Sequence, residues 1–278
     1  MCGFAGYIHN YGTFDKEEVI HKMADRIKHR GPDDAHYYID DGIALGFRRL
    51  SIIDLEGGRQ PILNEDGSLV LLFNGEIYNY KELREELQRK GHIFATHTDS
   101  EVLIHGFEEW REGLLNRLRG MFGFAIWNTV DKSLFIARDF FGIKPMHYTK
   151  VGDHLVYGSE IKSILQFPGF EKKFNYDTLN NYLSFQYAVP PQTFFENLYC
   201  LLPGHYLWYK NGKITTTRYW EAMFEPQNDM TEAQAVDKIE KVFANSVDTH
   251  KISDVEVGCF LSSGVDSSYV STYFPGQK

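Results

Sequence analysis

Cys2 sits where one residue can supply both a nucleophile and a base. Once Met1 is removed, its thiol, ordinarily of pKa ~8.5, shares a residue with a free α-amine near ~8, partly neutral at cytosolic pH. Gly3 beside it leaves room for a substrate. Asn74-Gly75-Glu76 follows the apolar run Leu69 to Phe73. A side-chain amide and a glycine N–H aimed at one point form an oxyanion hole; taken alone, Asn-Gly reads first as a type I′ hairpin turn. Arg49 lies in the apolar run Arg48 to Asp54 and needs an anion there. A substrate carboxylate gripped bidentately satisfies it, and so does an ion pair with Asp54 or Glu76. Asp99, in Thr98-Asp99-Ser100-Glu101, stands at a helix start. Thr98 and Glu101 have capping-box spacing, and an acid at Asp99 suits the first turn. Near the other end, Leu261 leads into Ser262-Ser263-Gly264-Val265-Asp266-Ser267-Ser268. Hydroxyls and backbone amides opening a helix make a phosphate cradle, in which Asp266 can hold Mg²⁺; a plain capped loop is the alternative. It is not a P-loop, because no Gly-Lys-Ser/Thr is present.

These residues need elements to position them. Cys2 to Ile8 reads as a buried strand, and Asp15 to His29 as a helix with Val19, Ile20, Met23 and Ile27 on one side. Arg30-Gly31-Pro32-Asp33 ends that helix, since the residue before proline disfavours the helical region. Ala44 to Ile53 and Leu69 to Phe73 read as strands, and Tyr80 to Lys90 as an amphipathic helix stopped by Gly91. Ser100 to Glu112 is a further helix, and Met121 to Trp127 with Ser133 to Arg138 a hairpin. Val151 to Tyr157 and Tyr206 to Thr217 give short strands, the last turning at Asn211-Gly212. Strands and helices come in blocks, which favours an α+β fold of antiparallel sheets covered by helices. This first domain is expected over residues 1–222, with a polar linker at 223–230. Residues 231–278 open an α/β domain: helix Thr231 to Val247 with Ala235, Ile239, Val242 and Phe243 at core spacing, strand Val255 to Leu261, the serine-rich loop, and a helix from Tyr269.

The bulk properties exclude several classes. Of 278 residues, 43% are hydrophobic and 15% aromatic, enough for large packed sheets. The net charge is −9 and the densest basic pieces are pairs, so no nucleic-acid partner is expected. There is no signal peptide and no run of about 20 apolar residues, so no membrane partner is expected either. Cys2, Cys200 and Cys259 are odd in number and widely spaced. That argues against a disulfide framework and a zinc site, and suits the cytoplasm.

Taken together, the motifs resemble a known family. Cys2-Gly3, His29-Arg30-Gly31-Pro32-Asp33, Arg49 to Asp54, Asn74-Gly75-Glu76-Ile77-Tyr78-Asn79 and Asp99 resemble the class II glutamine amidotransferase domain. So do Arg138-Asp139, Phe141-Gly142-Ile143-Lys144-Pro145 and Ser159-Glu160-Ile161-Lys162. Leu261 to Ser268 resembles the pyrophosphate loop of ATP pyrophosphatases, and the two together look like glutamine-hydrolysing asparagine synthetases. Phe47, Phe140 and Glu256 depart from that pattern, replacing a usual His, a common charged residue and a frequent proline.

The resemblance implies a fold, a four-layer αββα sandwich of the N-terminal-nucleophile hydrolase type, and a chemistry. Cys2 attacks the side-chain amide of L-glutamine, Asn74 and Gly75 hold the oxyanion, and a thioester releases glutamate and ammonia. Arg49 and the backbone through Ile53 grip the α-carboxylate; Glu76 and Asp99 take the α-ammonium. No cofactor or metal is implied in this domain. In full-length members ATP, Mg²⁺ and aspartate serve a synthetase domain. Because the chain stops ten residues after the loop, glutamine hydrolysis is expected of it and asparagine synthesis is not. With the apolar Val255 to Leu261 strand uncovered, residues after about 225 are expected to be poorly ordered, or buried against the first domain or a second copy in a homodimer. The competing readings are an N-terminal Cys amide hydrolase of another substrate and a non-catalytic regulatory protein.

Overall fold

The computed structural model describes residues 2–9, 14–50, 58–226 and 229–274. It divides into two compact units, Met1–Ser51 with Glu56–Glu221, and Ile52–Leu55 with Ala222–Lys278. No helix among the described residues is long and apolar enough to cross a membrane.

The first unit begins with β1 (Gly3–Ile8), α1 (Lys16–Asp25), β2 (Asp34–Ile39), β3 (Ile43–Arg49), β4 (Ile62–Leu63) and β5 (Leu69–Ile77). Helices α2 (Tyr80–Arg89) and α3 (Glu101–Trp110) follow, then β6 (Gly120–Asn128), β7 (Ser133–Arg138), β8 (His147–Val151) and β9 (His154–Gly158). It ends with α4 (Ile161–Ile164), α5 (Tyr176–Phe185), β10 (Leu198–Cys200), β11 (His205–Lys210) and β12 (Lys213–Arg218).

The strands form two antiparallel sheets, ordered β10-β8-β9-β1-β3-β2 and β12-β11-β7-β6-β5-β4. Side-chain alternation on β1 shows how they stack. Phe4 and Ile8 join Leu45, Phe47, Val70, Leu72, Trp127 and Ile136 in a core between the sheets. Ala5 and Tyr7, on the opposite face, pack under Val19, Ile20 and Met23 of α1 and Ile164 of α4. On the outer face of the second sheet, Leu71, Phe73, Phe122, Phe124 and Phe135 meet Leu83 and Leu87 of α2 and Val102, Leu103 and Phe107 of α3. The result is helix, sheet, sheet, helix: the expected four layers, with β1 apolar on both faces because both are covered. Each large side chain buried this way contributes about 1.5–3 kcal/mol.

Local signals were read well where they act locally. Asp15 caps α1, accepting from the N–H groups of Glu17 and Glu18 at 2.9 and 3.3 Å. Gly91 follows α2 at φ 103°, and Asn211-Gly212, at φ 51° and 76°, turns β11 into β12.

Four expectations change. The strand β2 was missed; it is an edge strand, half-buried from Asp34 to Tyr38 and exposed at Ile39, and among the described strands it pairs with β3 alone. Val151 to Tyr157 is not one strand but the end of β8, a turn at Gly152 (φ 57°) and most of β9. In the second unit, α6 (Glu232–His250) and α7 (Val265–Thr272) form, but Val255 to Leu261 is not a strand. Among the described residues no strand of that unit lies beside it to take its backbone groups, and Phe260 is 99% exposed. The α6 positions read as core also divide: Ile239 and Val242 are exposed, while Phe243 packs on Tyr269 and Tyr273 of α7, with ring centroids 4.7 and 5.5 Å away.

Candidate active site

Cys2 stands at the mouth of β1. Gly3 faces Arg48 in the β1–β3 register, so Cys2 lies beside the end of β3. Its Sγ is 3.3 Å from both the N and the O of Leu50. Its carbonyl accepts from Arg30 Nε at 2.9 Å, and Arg30 Nη1 is held by Glu160 at 3.0 Å. Glu160 also takes His29 at 2.9 Å and Lys162 at 3.0 Å. Burial pushes the Glu160 carboxyl up, but Arg30, Lys162 and His29 outweigh it and hold it down at about 2. The His29-Arg30 and Glu160-Ile161-Lys162 motifs are thus one clamp on the backbone of Cys2. Burial pushes the Cys2 thiol up, against the Leu50 hydrogen bond and the charges of Arg49 and Lys144. A thiol raised this way stays protonated near neutrality and needs a base at its side.

Asn74 and Gly75 lie inside β5, opposite Gly123 and Phe122 of β6. The hairpin-turn reading is therefore wrong: pairing with a strand some fifty residues downstream overrides the local Asn-Gly signal. Asn74 is 2% exposed, and its Nδ2 has no hydrogen-bond partner among the described residues. A buried amide left unpaired costs about 1–3 kcal/mol, so such a donor marks a place kept for an acceptor. Gly75 is required by close approach: a Cβ there would lie 2.2 Å from the Met121 carbonyl oxygen.

Glu76, next on β5, and Asp99 form an acidic pair. Burial, reinforced by Asp99, pushes the Glu76 carboxyl up to about 7 against the pull of Lys144. Burial pushes Asp99 up to about 6, although it accepts the Ile77 N–H at 2.8 Å. The capping-box reading fails. Ser100 is the N-cap residue of α3 and makes no side-chain cap bond. Thr98 bonds the hydroxyls of Thr96 and Ser100, and Glu101 reaches back to the N–H groups of Ala95 and Thr96 at 2.7 and 2.8 Å. Asp99 is freed from capping and pinned to the end of β5.

Lys144 is the site residue that sequence reasoning missed, quoted there only as part of a motif. It is 3% exposed, and burial lowers its pKa while Glu76, Asp139 and Cys2 raise it. Asp139 builds its loop by accepting the N–H groups of Phe122, Phe141, Ile143 and Lys144 at 2.9–3.2 Å. Arg138 ties down the carbonyls of Gly142, Lys144 and Leu201 at 2.6–2.7 Å. One carboxylate therefore joins the Lys144 loop to the strand facing Gly75.

Electrostatic coupling thus runs from Arg49 and Lys144 to Cys2, and from Lys144 through Glu76 to Asp99. Arg49 itself is 6% exposed at the end of β3. Ile53 and Asp54 lie outside the described residues. The Leu261 to Ser268 segment belongs to the second unit, where its hydroxyls serve one another: Ser262 Oγ and Ser267 Oγ are 2.7 Å apart, and the Gly264 N–H donates to Ser262. Asp266 is in the first turn of α7.

Comparison with known proteins adds to this geometry. The model of the glutamine amidotransferase domain family matches residues 1–220, and that of asparagine synthase matches residues 238–276. Asparagine synthetase [glutamine-hydrolyzing] 1 of Bacillus subtilis (strain 168) is 42% identical, over 97% of this chain and 43% of its own. Its counterpart 2 in the same organism is 41% identical, over 100% of this chain and 39% of its own. The chain spans about two-fifths of the length of these curated relatives. Among solved structures, glutamine phosphoribosylpyrophosphate amidotransferase from B. subtilis has the same fold at 18% identity. Its TM-score is 0.59, covering 98% of this chain and 63% of that one.

Proposed function

The chain belongs to the glutamine amidotransferase domain family, and from that premise we propose that its first unit hydrolyses L-glutamine to glutamate and ammonia through a thioester on Cys2. With Met1 gone, the α-amine of Cys2 takes the thiol proton and the sulfur attacks the side-chain amide carbon. A C–S bond forms and the carbonyl electron pair moves onto oxygen, which Asn74 Nδ2 and the Gly75 N–H receive. The C–N bond breaks, the Cys2 ammonium returns its proton to the leaving nitrogen, and ammonia departs. Water then attacks the thioester carbon and gives a proton to the same amine; the C–S bond breaks, the proton passes on to the sulfur, and glutamate leaves. The observation that carries the reading is the buried, unpaired Asn74 amide inside β5, one residue before a glycine whose neighbours exclude any Cβ.

The acidic pair and Arg49 select the substrate. An α-ammonium favours two carboxylates that are poorly solvated alone, and an α-carboxylate suits Arg49 with the segment through Ile53. Arg49→Ala and Asp99→Ala are expected to raise KM for glutamine by ~10–100-fold, the scale of a lost charge-assisted contact of ~1.5–3 kcal/mol. Asp99→Asn should raise KM while the Ile77 contact and the melting temperature persist. Steady-state kinetics on glutamine beside simple acyl amides checks this, and unchanged glutamine selectivity in all three variants would overturn the head-group assignment.

The pH profile gives a second test. Only the ionised pair binds ammonium, so affinity is full above about 7 and is lost as pH falls through about 7 and then 6. Below pH 6, kcat/KM should fall at least tenfold per unit, with the carboxylate part of the loss in KM. The Cys2 amine must also be neutral, but its protonation lowers kcat, so Glu76→Gln should remove the KM step near 7 while leaving the Asp99 step near 6 and the limb in kcat.

For the longer protein, we propose that the ammonia converts ATP-activated aspartate to asparagine. The match of residues 238–276 to asparagine synthase and the relatives' names support this. Residues 262–268 would then face the pyrophosphate of ATP. Mg²⁺ does not fit this segment by itself. Asp266 belongs to no group of three or more ligating side chains among the described residues, and the serine hydroxyls already pair together. Three free cysteines suit a cytoplasmic setting.

A further inference from the structure

We propose that Glu65, His92, His105 and Glu108 form a binding site for one divalent first-row transition ion, with Zn²⁺ the best fit. Glu65 lies in the turn between β4 and β5, and His92 in the segment after α2. His105 and Glu108 stand three residues apart on α3 and so share a face. One donor atom from each lies within 4.8 Å of all the others. His105 Nδ1 is 3.4 Å from Glu65 Oε2 and 3.9 Å from Glu108 Oε2. His92 Nδ1 is 3.7 Å from Glu108 Oε2 and 3.8 Å from Glu65 Oε1. A tetrahedral ion with bonds of ~2.0–2.1 Å spaces its ligand atoms by about 3.3–3.4 Å. The observed edges run from that spacing, 3.4 Å, up to 3.9 Å, beyond the usual length of a hydrogen bond.

His105 supplies the independent observation. It is 1% exposed, and neither ring nitrogen has a hydrogen-bond partner among the described residues. Burying an imidazole with both nitrogens unbonded is costly, and an ion on Nδ1 removes that cost. The outer contacts follow the same pattern. His105 Nε2 faces Glu101 Oε1 at 3.5 Å, and His92 Nε2 faces Glu109 Oε2 at 3.7 Å. Glu65 Oε1 accepts the Ile93 N–H at 3.0 Å, and Glu108 Oε1 accepts from Asn64 Nδ2 at 3.3 Å. A carboxylate behind each histidine and a donor behind each carboxylate is how metal ligands are held in orientation. Two neutral imidazoles and two carboxylates balance a +2 ion, and without a thiolate the set suits Zn²⁺ better than a soft Cu(I). This departs from the expectation of no metal in the first domain, which rested on cysteine spacing. The ligands are instead histidine and glutamate, spread from residue 65 to 108 with no short motif. Glu101 lies two residues after Asp99, so the ion would clip the β4–β5 turn to the segment that delivers Asp99 to the active site.

The test uses the full chain, stripped with a chelator and titrated with Zn²⁺ alone. A parallel Cys2→Ala chain removes the active-site thiol as a competing ligand. Expected are one Zn²⁺ per chain retained through gel filtration, a higher melting temperature with Zn²⁺ in excess, and a tetrahedral visible spectrum with Co²⁺. These should be the same in Cys2→Ala. His92→Ala, at a partly buried position, and Glu65→Gln, at an exposed one, should fold as metal-free chains with unchanged circular dichroism. Each should lose at least ~10–100-fold in Zn²⁺ affinity, the scale seen even for outer-contact changes. Failure of the parent to retain Zn²⁺, retention lost in Cys2→Ala, or affinity unchanged in both ligand variants would each overturn the site.

Discussion

Cys2→Ala is expected to abolish glutamine hydrolysis and leave the fold standing. The nucleophile has no substitute: Cys200 is at the end of β10, on the far edge of the sheet that holds β1 at its centre, and Cys259 is in the second unit. The structural loss is small, because the thiol's hydrogen bonds are two of 3.3 Å with the Leu50 backbone, worth about 1 kcal/mol, and alanine keeps the Cβ that packs on the core between the sheets. The same chemistry predicts that a chain keeping Met1, or a tag ahead of it, is inactive to a similar degree. There the base is an amide nitrogen with no available pair, and the raised thiol stays protonated. Intact mass, read beside glutamate release, checks both at once. Glutamate production by Cys2→Ala, or full activity in chains whose mass retains Met1, would remove the proposed mechanism.

Asn74→Ala should cost ~10²–10³ in kcat, the usual effect of deleting one oxyanion donor. Its stability should stay within about 1 kcal/mol of the parent, because the deleted amide N–H is already unpaired and its removal offsets part of the cavity left behind. The two readouts separate the roles. A structural Asn74 would show a lowered melting temperature with kcat preserved, whereas a donor for the transition state shows the reverse. KM should change little, since the oxyanion exists only after attack.

How much of this was legible depended on the range of each signal. The α1 cap, the Gly91 stop and the Asn211-Gly212 turn are written within a few residues, and they stand where expected. Cys2, Arg49, Glu76 and Asp99 stood out as candidates because of their setting: a thiol near a chain start, a cation in an apolar run, and acids at a strand end and a helix start. Asn74-Gly75 was legible as a pair but not as strand, because only β6 could show that β5 runs on to Ile77. Glu101 looked like a capping partner because spacing along the chain cannot show where a carboxylate turns; it turns back to Ala95 and Thr96. Lys144 was illegible as a site residue, since its approach to Cys2 and Glu76 depends on a loop tied by Asp139 to a different strand. Val255 to Leu261 carries strand-forming residues, but a strand needs neighbours and the described residues of that unit offer none.

The central place of β1 sets an order of events during synthesis. Its β3 neighbour arrives some forty residues later, but its other neighbour, β9, pairs Ala5 with Gly158, 153 positions downstream. The Phe4 N–H likewise waits for Ser159 Oγ, 3.1 Å away in the finished sheet. At ~5–20 residues per second, the ribosome needs roughly 8–30 s to supply that partner. Throughout that interval the start of the chain is a half-paired ribbon open to an aminopeptidase; afterwards Cys2 is enclosed, its carbonyl under Arg30 and its sulfur against Leu50. On the proposed mechanism, then, the removal of Met1 that the Cys2 amine requires is easiest while the chain is still being made.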